Sequence, residues 1–226
     1  MKAEIKYAPQ SLEDVVYPNK AVEMRIKAYG AGELEGHVML HGPNGTGKTS
    51  IARLLIENIG GKHASIEAKS FLELLALKDL RQYLMKAGVF ASMTASKKHF
   101  LLLNEIDEAK NGLEKFWTSL DACEEYVMAI VTTNHPMQVN KSIRSRFDLV
   151  EIAVVKAAAA LPRIQFILKA EGLALPDAQV LHYLKQVEHM GDMRKYLKKV
   201  DELLFLHRNG HAFPAWTAVA PALKVI

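Results

Sequence analysis

Between His37 and about Ile152, short apolar runs alternate with longer segments of helical period. The runs are His37–His41, Ala64–Glu67, His99–Leu103, Val127–Thr132 and Leu149–Ile152, and the helical segments between them cover 48–59, 70–87, 111–122 and 138–144. That alternation predicts an α/β fold, a parallel sheet with helices packed on both faces. The run at 100–103 is apolar throughout, as a central strand covered on both sides requires. After Val155 the strand signals stop and three helices are expected, at 156–171, 176–189 and 192–207. In the last, Met193, Tyr196, Leu197, Val200, Leu203 and Leu204 form one apolar stripe, with Lys195, Lys198, Lys199 and Glu202 off it. Gly172 and Gly191 stand where helices end, and Asp192 is the expected N-cap of the last helix. The chain thus divides into an α/β domain over 1–154, a small helical lid over 155–208 and a tail over 209–226.

Composition narrows the class. The 226 residues are 50% hydrophobic and 24% charged, which excludes disordered, collagen-like and coiled-coil chains. Cys123 is the single cysteine, so an intramolecular disulfide or a Cys-based zinc cluster is out, and the chain suits a reducing cytosol. MKAEIKYAPQ lacks the apolar core of a signal peptide, and no stretch reaches the roughly 18 apolar residues of a membrane span. A soluble cytoplasmic protein with no membrane partner is expected. The net charge of +4 is too mild to identify a nucleic-acid partner. Residues 151–226, with 10 Lys and Arg against 7 Asp and Glu, are the more basic part.

Three strand ends carry candidate chemistry. Gly42-Pro-Asn44-Gly45-Thr46-Gly47-Lys48-Thr49 fits the phosphate-binding pattern G-x-x-x-x-G-K-[ST], between an expected strand and an expected helix. Its glycines let backbone N–H groups turn toward phosphate oxygens, and the helix, running on through Ser50, adds its positive dipole end. Lys48 would reach the β- and γ-phosphates of ATP, and the Thr49 hydroxyl would ligate Mg2+. The third strand ends Asn104-Glu105-Ile106-Asp107, and Glu105 there can polarise a water for attack on the γ-phosphate. The fourth ends Thr132-Thr133-Asn134, where a neutral amide can hold that water or the phosphate.

In this order the pieces resemble an AAA+ ATPase of the DNA polymerase clamp-loader type, over residues 5–208. Lys6-Tyr7-Ala8-Pro9 through Leu12 and Asp14-Val15-Val16 is similar to the family's opening segment, and the following Tyr17-Pro18 resembles its phage branch. The resemblance implies that Tyr7, Pro9, Val15 and Val16 pack on adenine. It makes 100–107 the Walker B strand, with Thr49, Asn104 and Asp107 around the metal, and Asn134 the sensor 1 residue. Ser145-Arg146-Phe147 resembles the family's Ser-Arg-Cys motif, which implies that Arg146 reaches a neighbouring subunit's nucleotide. Gly191-Asp192-Met193-Arg194 matches the start of the sensor 2 helix, which implies that Arg194 touches the γ-phosphate in cis.

The chain departs from that pattern at Asn104, where the family has the aspartate that steers magnesium, at Phe147 in place of cysteine, and at Ala8 in place of arginine. Only residues 209–226 follow the expected lid, so the family's collar domain is expected to be missing. The resemblance implies a homo- or hetero-oligomer of AAA+ subunits working on primed or double-stranded DNA, with a sliding clamp or a helicase as protein partner. Two other readings stay open: a nucleotide-dependent structural or switch subunit with weak hydrolysis, and a helicase-loader or transposition-type ATPase.

Overall fold

The computed structural model describes residues 2–60, 66–68, 79–91, 93, 97–106 and 113–216. By packing they fall into two units, Pro9–Val154 and a second made of Met1–Ala8 with Val155–Ile226. The division falls after Val154, and residues 2–8 pack with the helices of the second unit.

In the first unit five strands run parallel among the described residues: β1 (His37–His41), β2 (Ile66–Ala68), β3 (His99–Leu103), β4 (Val127–Thr133) and β5 (Phe147–Glu151). Their order is β2-β3-β4-β1-β5, so the chain crosses from β1 past β4 and β3 before returning. β5 begins two residues before the expected Leu149, because Phe147 pairs with His37 and the strand matches β1 along its whole length.

The helices of this unit are α2 (Lys20–Gly30), α3 (Lys48–Gly60), α4 (Leu80–Ala91), α5 (Leu113–Asp121) and α6 (Lys141–Arg144), preceded in the second unit by α1 (Ala3–Lys6). Of the segment expected at 70–87, residues 70–78 lie outside the described residues. The one expected at 138–144 is a 3-10 turn, Pro136–Gln138, and then α6, whose N-cap Asn140 accepts from the Ser142 N–H.

Alternation of side chains along the strands divides the core between the two faces. Met39, Leu101, Leu103, Ala129 and Val131 point to one cluster, closed by Leu84 of α4 and by Phe116, Trp117 and Leu120 of α5. Val38, Leu40, Phe100, Leu102, Met128 and Ile130 point to the other, closed by Ile26 and Tyr29 of α2 and by Ile51 and Leu55 of α3. β3 and β4 are buried at every position, so a polar side chain there must find a bonded partner.

The second unit packs α7 (Ala157–Ala170), α8 (Asp177–Glu188) and α9 (Met193–Arg208) with α1. On α9 the stripe is buried at Tyr196, Val200, Leu203 and Leu204, as its period predicts. Asp192 caps α9 by accepting from the Arg194 N–H at 2.8 Å, and Gly172 and Gly191 take φ of 80° and 63° past the ends of α7 and α8. Of the expected tail, 217–226 lie outside the described residues, and Pro214 accepts a hydrogen bond from the Tyr183 hydroxyl.

Glu171, just after α7, fastens the N-terminal segment. Its carboxylate accepts from Lys6 at 2.5 Å, Tyr7 at 2.7 Å and Arg208 at 2.5 Å. Hydrogen bonds from Lys6 and Tyr7 push its pKa down to about 2 from an ordinary 4.5. A carboxyl depressed on folding stabilises the fold above its unfolded pKa and loses that effect as pH falls through the folded value. The stabilisation is therefore complete above pH about 5 and fades from there toward pH 2. Hydrogen exchange of the Tyr7 amide should be faster in Glu171→Gln than in the parent at pH 6, and the difference should vanish near pH 2.

Candidate nucleotide site

The C-terminal edge of the sheet collects the candidate groups. β1 and β4 are aligned with His41 opposite Thr133, and β3 and β4 with Leu103 opposite Val131. The residues that follow the three strands, Gly42, Asn104 with Glu105, and Asn134, therefore emerge side by side. In open α/β sheets this is the edge where ligands bind.

The loop from β1 to α3 is held from both sides. The Gly42 N–H donates to Thr133 O at 3.3 Å, and the Ile152 N–H donates to His41 O at 2.7 Å. Gly42 has φ 141°, and a Cβ there would lie 2.3 Å from Ile152 O. Only glycine fits so close to a backbone carbonyl. Gly45 and Gly47 also have positive φ, which curls the loop around its own lysine. Lys48 is buried, its Nζ donating to Gly42 O at 2.9 Å and Pro43 O at 2.8 Å, and the Thr46 hydroxyl donates to Pro43 O at 3.0 Å. The first turn of α3 follows, with N–H groups that have no partner inside the helix and a dipole that favours anions.

A chain of side-chain hydrogen bonds joins this loop to the two neighbouring strand ends. The Thr49 hydroxyl donates to Asn104 Oδ1 at 3.2 Å, and the Thr132 hydroxyl donates to the same oxygen at 3.2 Å. The Glu105 N–H in turn donates to Thr132 Oγ1 at 3.3 Å. Thr132 is 2% exposed, so its hydroxyl needs these bonds. Glu105 takes φ 53°, a left-handed conformation that costs a non-glycine residue about 1–3 kcal/mol and is concentrated at functional sites. Its carboxylate is exposed at the strand end.

Hard oxygen donors suit magnesium, which keeps several waters and takes one or two protein ligands beside phosphate oxygens. The Thr49 hydroxyl fits, because its proton is committed to Asn104 and its lone pairs are left for a cation. Asn104 Oδ1 already accepts two hydroxyl protons, as many as an amide oxygen has lone pairs, so in this geometry it orients Thr49 rather than serving as a ligand. Asp107 lies outside the described residues.

Arg146 stands apart from this edge. Arg146 precedes β5, at the level of Gly36 on the opposite edge of the sheet. Five strand residues at roughly 3.3 Å each put its backbone about 17 Å from its own phosphate loop. Its guanidinium pairs with Asp121 at 2.8 Å. Arg194 belongs to the second unit and pairs with Asp192 at 2.8 Å. Burial works to raise the Asp192 carboxyl, and the hydrogen bonds and charge of Arg194 outweigh it, holding the pKa below the usual range.

The opening segment is divided. Tyr7 lies in the second unit, its hydroxyl on Glu171 and its ring edge-on to Phe166. Pro9, Val15 and Val16 lie in the first, with Val15 packed against the cluster that holds Leu12 and Ile26. Lys199 pairs with Glu202 at 2.7 Å, and Lys195 and Lys198 are exposed. The residues that sequence reasoning passed over are Thr132, hidden in an apolar strand, and Asp121, 25 positions before its arginine.

Residues 38–153 match the family described as "ATPase family associated with various cellular activities (AAA)". The replication factor C small subunit of Natronomonas pharaonis is 27% identical over 198 residues, covering 84% of this chain and 58% of that protein. The one of Sulfurisphaera tokodaii is 28% identical over 199 residues with the same coverage. The chain thus spans little more than half the length of these relatives. Among solved structures, the Thermotoga maritima "RuvB Holliday junction branch migration motor" superposes with a TM-score of 0.67 at 19% identity, over 91% of this chain and 68% of that one. That likeness shows a common fold. No helix among the described residues is long and apolar enough to cross a membrane. The family match covers half of the chain and contains the phosphate loop, Glu105, Asn134 and Arg146, so the protein belongs to the AAA family of ATPases.

Proposed function

We propose that this protein binds ATP with magnesium and hydrolyses it as one subunit of an AAA+ oligomer acting on DNA, in the manner of a clamp-loader subunit or a close relative. The observation that carries the reading is the hydrogen-bond chain from Thr49 through Asn104 and Thr132 to Glu105, which ties the phosphate loop to the strand end bearing the carboxylate. In this reading Tyr7, Pro9, Val15 and Val16 face adenine, while the N–H groups from Asn44 to Ser50 and the Lys48 ammonium hold the phosphates, with Gly42 setting the loop's path beneath them. Thr49 supplies the ligand for magnesium, which when bound offsets triphosphate charge. Glu105 draws a proton from the attacking water, and Asn134 positions that water against the γ-phosphate. Arg194 reads the γ-phosphate in cis and Arg146 reads that of a neighbouring subunit. The position of Arg146, on the far edge from its own loop, supports a role in trans.

A second reading, a switch that holds ATP and turns it over weakly, is favoured by Asn104, a neutral amide with its oxygen committed to two hydroxyls. Turnover measured with and without primed DNA, in the parent and in Asn104→Asp, separates the two. A carboxylate keeps both hydroxyl bonds and has lone pairs to spare. At about 4 Å and an effective dielectric of about 20 it adds roughly 4 kcal/mol of gross attraction per unit of cation charge. The magnesium concentration for half-maximal turnover should fall at least about tenfold in Asn104→Asp. DNA-stimulated turnover in the parent supports the motor. Tight ATP binding with no turnover on DNA supports the switch.

A further inference from the structure

Asp121 is the last residue of α5, and a carboxylate at a helix C-terminus opposes the helix dipole. Its side chain is 43% exposed and its partner Arg146 37% exposed, and ion pairs that open to solvent add little to stability. Neither propensity nor stability accounts for an acid in this place. The geometry does. Arg146 Nε donates to both Asp121 oxygens at 2.9 Å, Nη2 donates to Oδ2 at 2.8 Å, and Nη1 donates to Ser142 O at 2.5 Å.

A guanidinium has five N–H donors in a fixed fork. The carboxylate takes the Nε edge side-on, and Ser142 takes one hydrogen of Nη1. Among the described residues, one hydrogen on Nη1 and one on Nη2 are left to donate to a phosphate. The same side-on hold recurs in the second unit, where Arg194 Nε donates to Asp192 at 3.0 and 3.1 Å and Nη2 at 2.8 Å. Both arginines that the functional reading directs at a γ-phosphate are thus gripped by the edge that does not face end-on.

We propose that Asp121 is a positioning residue for hydrolysis in a neighbouring subunit: it holds the Nε edge of Arg146, with Ser142 O, so that the free Nη pair is aimed outward at the neighbour's γ-phosphate. The inference rests on the trans-acting reading of Arg146. Pre-ordering a five-bond side chain removes the rotamer entropy that it would lose on reaching the phosphate. Losing the aim by about 1 Å lowers the rate by about 10- to 100-fold without changing what holds ATP.

The experiment is single-turnover hydrolysis by the full chain at saturating ATP and magnesium, with ATP affinity, oligomer size and melting temperature measured on the same samples. Arg146→Ala should lower the rate by about 10³-fold, the scale of an arginine finger. Asp121→Asn should lower it by about 10- to 100-fold at unchanged ATP affinity. Asp121→Glu should recover most of the loss, and the double variant should be no slower than Arg146→Ala, since Asp121 acts only through Arg146. A normal rate in Asp121→Asn beside a slow Arg146→Ala overturns the positioning role and leaves the trans reading intact. A normal rate in Arg146→Ala removes both. Losses that add in the double variant, or that follow a drop in melting temperature or oligomer size, also overturn the proposal.

Discussion

Lys48→Ala should bind ATP at least about 10³-fold more weakly than the parent and show no measurable turnover. The ammonium is buried in a loop that wraps it, with two of its three donors on Gly42 O and Pro43 O. One positive charge at about 4 Å from a phosphate oxygen is worth roughly 4 kcal/mol at an effective dielectric of about 20, or about three decades in affinity. The alanine also leaves the two carbonyls facing the site, where they repel phosphate oxygens. Titration with a fluorescent ATP analogue reads the affinity. Lys48→Met is the companion variant, because it keeps most of the aliphatic volume and separates charge from packing. An affinity within about threefold of the parent in both variants would place the triphosphate elsewhere.

Gly42→Ala should nearly match that loss for a different reason. The added Cβ would sit 2.3 Å from Ile152 O, closer than real Cβ atoms come to any carbonyl, at a φ of 141° that L-residues avoid. Either the loop swings away from β5 or the bond from the Ile152 N–H to His41 O breaks. The strain should exceed the ~1 kcal/mol that an incompatible glycine replacement costs at minimum, and melting should fall by at least about 2–4 °C. ATP affinity should fall by about 10²-fold or more, because the N–H groups leave their common aim. Gly32→Ala is the control: its φ is also positive, at 73°, but a Cβ there meets nothing within 4 Å. It should lose only the roughly 1 kcal/mol that a left-handed backbone costs alanine, with no clash added, and bind ATP equally well. If Gly42→Ala behaves like Gly32→Ala, the loop has room that these contacts deny.

Much of this site is legible in the chain. The strand from His99 to Leu103 has the expected bounds, because four consecutive apolar residues, Phe100 to Leu103, ahead of Asn104 suit a strand covered on both faces. The stripe on α9 is equally plain, since Tyr196, Val200, Leu203 and Leu204 keep helical period amid charge. By contrast α2 was not visible: only Val22, Ile26 and Tyr29 carry its inner face, too few among lysines and small residues to stand out. The role of Asn104 shows the other limit. A neutral residue in an acidic position reads as a deficiency, and nothing local says that two threonines, one 55 positions before it and one 28 after, donate to its oxygen.

What the sequence alone determined is whatever depends on neighbours in the chain: the period of strands and helices, the glycines that bend the phosphate loop, the lysine and threonine at fixed spacing within it, and the cap at Asp192. Such features are set by backbone sterics and hydrogen bonds over a few residues. Only the tertiary structure decided which groups meet across the sheet, because registers of β1 with β4 and of β3 with β4 bring Gly42, Asn104, Glu105 and Asn134 to one edge. The register of β1 with β5 leaves Arg146 at the opposite edge, in the hold of Asp121. Strand order and pairing come from burying both faces of the sheet at once, a condition that no local stretch of sequence expresses.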